Sequence, residues 1–115
     1  MNKFALTSIW HIPAPLELVW ETIIDTEDWP SWWRYVIKVE QLSPGMTTGL
    51  HNIRRYYWQT CLPYQLTIDL CITGLVPYER IETAVSGDLT GQGSCLVNSR
   101  PDYTVVHYQW NVCLN

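Results

Sequence analysis

Arg54, Tyr56 and Trp58 stand at alternate positions of the run HNIRRYYWQT, so in an extended strand their side chains leave the same face. An arginine among aromatic rings offers a donor fork that can hold a ligand carboxylate or carbonyl oxygen. The competing reading puts Arg54 at a cavity mouth, or pairs it with an acid. Tyr108 and Trp110, two apart in TVVHYQWNVCL, raise a similar choice. The Tyr108 hydroxyl either donates into a cavity or is satisfied inside a core. Aldol cyclisation of a ketone chain needs an acid or base beside a carbonyl, and walls that shape the chain. Asp69 falls on the polar face of its strand and is expected in solvent. No Ser, His, Asp order suggests a triad, and GQG at Gly91 to Gly93 lacks the strand-to-helix setting of a dinucleotide loop, so it reads as a strand bend or bulge.

Metal and cofactor chemistry find little support. The three histidines, His11, His51 and His107, sit on separate segments, and Cys61, Cys71, Cys95 and Cys113 include no CxxC pair. We therefore expect no metal, no cofactor and buried free thiols in place of disulfides. A formal net charge of -4 with seven Lys plus Arg leaves no basic stripe to neutralise phosphates, which disfavours nucleic acid and anionic membranes. The start MNKFALTSIWHIPAP is unlike a signal-peptide core, and no apolar run is long enough to span a bilayer. The expected location is the cytoplasm, without stable membrane insertion. At 115 residues, 47% of them hydrophobic, the chain should form one domain over residues 1–115.

The elements that position these groups follow from periodicity. Lys3 to Ile12 reads as a strand ending at Pro13. Pro15 suits the first turn of a helix whose apolar face is Leu16, Val19, Trp20, Ile23 and Ile24 and which ends near Asp25. A short second helix is expected over Pro30 to Trp33. Strands follow over Tyr35 to Leu42, Leu50 to Thr60 and, after a corner at Leu62 and Pro63, the segment in which Tyr64, Leu66, Ile68, Leu70 and Ile72 alternate with polar residues. Arg80 to Ser86, Ser94 to Asn98 and Thr104 to Leu114 complete the set, with SPGMTTG and GDLTGQG as loops. One strand, two short helices and six strands make an α+β pattern with a curved antiparallel sheet.

Two motifs tie this order to a family. IPAPLELVW, from Ile12 to Trp20, and DTEDWPSWW, from Asp25 to Trp33, followed by LPYQLTIDLCITGLVPYERIE, GDLTGQGSCLV and TVVHYQWNV, resemble the polyketide cyclase/dehydrase branch of the START-like (SRPBCC) superfamily over essentially the whole chain. The resemblance implies a helix-grip fold: a seven-stranded antiparallel sheet around a hydrophobic cavity, closed in that family by a long C-terminal helix. Here the chain stops after YQWNV, so the long helix is expected to be absent and the domain C-terminally truncated. Four of the seven tryptophans lie between Pro13 and Val36. Trp20 is expected on the buried helix face, Trp29 between helix and sheet, Trp32 partly toward the cavity and Trp33 at the surface. A purely core role for all four is the alternative.

The expected cavity lining is Trp32, Arg54, Tyr56, Trp58, Leu66, Ile68, Leu70, Tyr108 and Trp110. Three functions remain open. The first is binding of a hydrophobic or aromatic small molecule, lipid-like or polyketide-like. The second is a polyketide cyclase or dehydratase-like enzyme using the same cavity. The third is an incomplete domain whose apolar groove mediates self-assembly. A sheet lacking its long helix would expose more apolar surface than soluble monomers usually tolerate, so a homodimer or higher oligomer is expected.

Overall fold

The computed structural model describes residues 2–59 and 65–115. The corner expected at Leu62 and Pro63, the thiol of Cys61, and the strand ends at Thr60 and Tyr64 lie outside the described residues. Elements run β1 (Asn2–Ile12), α1 (Leu16–Ile24), a 3-10 helix (Thr26–Ser31), β2 (Val36–Ser43), β3 (Ile53–Gln59), β4 (Gln65–Val76), β5 (Arg80–Gly87), β6 (Leu89–Ser99) and β7 (Thr104–Leu114). The seven strands form one antiparallel sheet in the order β1-β7-β6-β5-β4-β3-β2. Among the described residues the nine-residue α1 is the longest helix; no long helix covers the sheet.

Pro15 caps α1 in an extended conformation and gives its carbonyl to the Val19 N–H at 3.1 Å, a position where its own missing donor costs nothing. Val19 and Trp20 are the buried residues of α1, while Ile24 at the end of the expected face is 41% exposed. The second helix is displaced toward the N-terminus from the expected Pro30 start. Its first turn closes with the Asp28 N–H on the Asp25 carbonyl, and it ends where Trp32 and Trp33 both donate to the Trp29 carbonyl at 3.1 and 2.7 Å. Pro30 therefore sits inside the helix, supported from both sides although it donates nothing itself.

Two strand starts differ from expectation by three residues or more. β3 begins at Ile53, not Leu50, because the preceding loop folds on itself: Met46 donates to the Leu50 carbonyl at 2.8 Å and Asn52 to that of Gly49 at 3.1 Å. The buried Asn52 amide locks this loop by donating to Gln41 Oε1 at 3.0 Å and the Pro44 carbonyl at 3.3 Å. β5 runs through Gly87 and β6 begins at Leu89, so only Asp88 of GDLTGQG lies outside a strand. Gly91 permits this. It pairs with both Val85 and Val112 at φ +156°, and a Cβ there would collide with the Asn111 carbonyl. β6 thus keeps unshifted register with both neighbours, without the expected bulge, at a close approach that only glycine allows.

Directly opposed residues of an antiparallel pair share a face, so the register defines the concave surface. Tyr56 opposes Ile68, Trp58 opposes Leu66 and Arg54 opposes Leu70; across the sheet Tyr108 opposes Cys95 and Trp110 opposes Gly93. The buried core falls into two clusters. One holds Trp29, Val36, Tyr56, Ile68, Leu70, Val85 and Val112; the other holds Val19, Trp20, Cys95, Val97 and Val106 under α1. The thiols follow the expectation in part. Cys71, Cys95 and Cys113 are all free, but only Cys95 is buried.

Candidate functional site

Between the two helices and the concave face lies a cavity of about 400 Å³, within the range of small-molecule sites. Each wall has a sequence origin. Trp20 comes from the apolar stripe of α1, Trp29 from the 3-10 helix, Arg54, Tyr56 and Leu70 from alternating positions of β3 and β4, and Tyr108 and Trp110 from β7. Gly93 contributes space: it lines the cavity, and a Cβ built on it would stand 3.8 Å from Trp110 Cδ2. A second cavity of about 270 Å³ lies toward β1, lined by Trp10, Trp33, Trp58, Leu66, Ile68 and Leu89 among others. Tyr108 and Trp110 border both. That shared position leaves them half-buried.

The expected lining residues therefore divide. Arg54, Tyr56 and Leu70 face the larger cavity, Trp58, Leu66 and Ile68 the smaller, and Tyr108 and Trp110 form the wall between them. Trp32 lines neither. Its ring is 48% exposed and stacks on Trp33 at 5.7 Å. The exposed and inward roles expected of Trp33 and Trp32 are exchanged. Trp33 is half-buried, with Trp58 4.9 Å away edge to face and Trp10 at 6.0 Å. The cause is the earlier helix: it ends at Ser31, which leaves Trp32 on the outside as the chain turns into β2. Trp29 packs as expected, 6% exposed and with its indole Nε1–H donating to the Thr22 carbonyl at 3.3 Å.

Arg54 and Thr26 form one polar pole of the larger cavity, and Thr48, Asn52, Thr83 and Ser94 add polar groups elsewhere on its lining. Among the described residues Arg54 Nε is buried without a hydrogen bond, Thr26 Oγ1 is buried beside the Tyr56 phenol, and both residues line the void. Glu27 Oε1 stands 3.4 Å from Arg54 Nε, so both readings of Arg54 hold: it faces the cavity and it has an acidic neighbour. Glu27 is 52% exposed, which leaves that pair partly screened by solvent. Burial pushes the Tyr56 phenol up, against the opposing pull of the neighbouring Thr26 hydroxyl and the Arg54 guanidinium. Burial also pushes the Tyr108 phenol up, and both rings stay protonated donors at neutral pH. Asp69 lies on the opposite face and is paired, correcting the solvated reading: Arg55 donates to it through Nε at 2.8 Å and Nη2 at 3.1 Å. Thr26, Asn52, Trp10 and Trp33 line these spaces without having been expected there. Trp10 had a signal, since it alternates with Phe4, Leu6, Ser8 and Ile12; the equally apolar Ala5 and Ile9 on the other face obscured it.

A curved antiparallel sheet gripping an apolar cavity beneath two short helices is the architecture of START-like, helix-grip proteins. Residues 12–87 match the family described as polyketide cyclase / dehydrase and lipid transport, and the chain belongs to that family. Among curated proteins, none matches the chain. Among solved structures, the Zhui aromatase/cyclase from Streptomyces sp. R1128 is similar with a TM-score of 0.83 at 16% identity, over 99% of this chain and 70% of that one. A START superfamily protein from Mycobacterium smegmatis gives 0.82 at 15% identity, over 96% and 77%. TTHA0849 from Thermus thermophilus gives 0.79 at 16%, over 97% and 75%. Identities this low establish a shared fold.

Proposed function

We propose that the chain binds a hydrophobic or aromatic small molecule, lipid-like or polyketide-like, in the cavity between sheet and helices. The observation that carries this reading is a largely apolar void of about 400 Å³ whose lining includes the buried Arg54 Nε, which has Glu27 at 3.4 Å but no hydrogen bond among the described residues. A buried donor without a hydrogen bond is costly; a ligand oxygen facing Arg54 would accept one. The apolar walls would take the rest of the ligand. The protein acts in the cytoplasm, without a nucleic-acid partner, and self-associates to cover the apolar residues left along β1.

The same pole supports a second reading, a polyketide cyclase or dehydratase-like enzyme. Arg54 would polarise a carbonyl, and the protonated Tyr56 or Tyr108 would act as donor. Titration with 8-anilinonaphthalene-1-sulfonate, an aromatic anion, tests the binding reading: saturable fluorescence enhancement is expected, and loss of that enhancement in Arg54→Leu. A linear, unsaturable response in both proteins would count against a defined site. Cyclisation of an added poly-β-ketone, read as an isomer of unchanged mass with a new retention time, or loss of one water from it, would favour the enzyme.

A further inference from the structure

The two edges of the sheet differ in how they are defended. β2 is interrupted by register shifts between Val36 and Lys38 and between Gln41 and Ser43, and it carries the Lys38–Glu40 ion pair. Bulges and charges of this kind keep an edge from pairing with another chain. β1 has neither device. It pairs with β7 without a shift from Asn2 to Ile12, contains no proline, and has Lys3 as its only formal charge. Among the described residues its other edge pairs with no strand. Phe4, Leu6, Ile9 and Trp10 on this strand are 42%, 58%, 59% and 38% exposed.

We propose that β1 of one molecule pairs antiparallel with β1 of a second copy, joining the two sheets about a two-fold axis at Thr7. This names the surface for the self-association proposed above. The strand is complementary to itself in that register. Phe4 falls opposite the partner's Trp10, and Ala5 opposite the partner's Ile9, each pair on one face. Leu6 falls opposite the partner's Ser8, and Lys3 opposite the partner's His11, so no two lysines or acids meet. Aromatic cross-strand pairs stabilise such ladders, and here the symmetry forms the Phe4–Trp10 pair twice. The head-to-tail alternative, β1 against β2 of the next copy, would propagate into an open filament. The irregular, charged β2 edge blocks it. A closed dimer is what these two edges leave available.

Sedimentation velocity of the full chain at increasing concentration, with two charge variants at the axis, tests the interface. Thr7 is exposed, so Thr7→Lys and Thr7→Glu should fold, as circular dichroism will report. Wild type is expected to reach a dimer at micromolar concentration. Each variant alone is expected to weaken it by about fivefold, since like charges meet at the centre; mixing the two in equal amounts should restore it. Ile37→Lys on β2 should leave it unchanged. Variants that dimerise like wild type, or a mixture that stays monomeric, would overturn the β1 interface while leaving self-association intact. Wild type sedimenting only as the 13.4 kDa chain would overturn both.

Discussion

Arg54 Nε stands 3.4 Å from Glu27 Oε1 yet is buried without a hydrogen bond, facing an apolar cavity. The guanidinium is thus held by an exposed acid on one side and open to a ligand on the other. Arg54→Leu should weaken binding of an aromatic carboxylate by roughly tenfold or more, the worth of one charge-assisted bond, and leave a neutral aromatic of the same size unaffected. Glu27→Gln should act the other way, strengthening the carboxylate alone. Isothermal titration of both ligands into the three proteins checks this; equal losses for charged and neutral ligands would show that Arg54 only packs.

Ile68 is 3% exposed and opposes Tyr56 on the concave face. Ile68→Asp would bury a charge with no partner and should cost several kcal/mol. Thermal unfolding followed by circular dichroism reads it directly. A variant that melts with the parent would contradict the inward face.

Trp110 borders both cavities and Trp32 neither. Ligand-induced change in tryptophan emission should therefore survive in Trp32→Phe and fall substantially in Trp110→Phe. The reverse pattern would place the ligand on the outer face of the 3-10 helix.

Cys95, buried beneath α1, has its thiol pushed up to about 11 from 9.0 by desolvation. The folded state holds this proton more tightly than the unfolded chain, so the stabilisation is fully present below pH 9 and is lost as pH rises through about 11. The loss attributable to this thiol is roughly 2 to 3 kcal/mol. Urea unfolding of wild type and Cys95→Ala at pH 8 and pH 11 checks it, with the wild type expected to lose more across that interval. Tyr56 and Tyr108 add alkaline losses of the same sign, and because the Cys95 charge also pushes the Tyr108 phenol up, the difference between the two proteins reports Cys95 together with its coupling to Tyr108.

Strand periodicity carried most of the fold. The alternation of Leu66, Ile68 and Leu70, and of Val106, Tyr108, Trp110 and Val112, places each set on the concave face that the register confirms. Local signals failed where tertiary bonds overrode them. Pro30 looked like a helix start, but the Trp29 carbonyl takes the Trp32 and Trp33 N–H groups and ends the helix there instead. GDLTGQG reads as a loop because glycine usually breaks strands; next to β7, Gly91 instead allows β6 the close approach to Asn111 that their pairing requires. Arg54 was legible as inward from its place beside Tyr56 and Trp58. Thr26 was not, because its role comes from a helix that starts four residues before the expected one.

The central claim is that the cavity takes a hydrophobic or aromatic molecule. Mass spectrometry of the protein purified without added ligand, sprayed under native conditions and again after denaturation, tests it most directly. The native species is expected to be heavier than the 13.4 kDa chain, or than its dimer, by one small molecule per chain, lost on denaturation and depleted in Arg54→Leu. Native species at the bare protein mass, with no small molecule in an organic extract and no uptake when lipids or aromatic acids are offered, would contradict it.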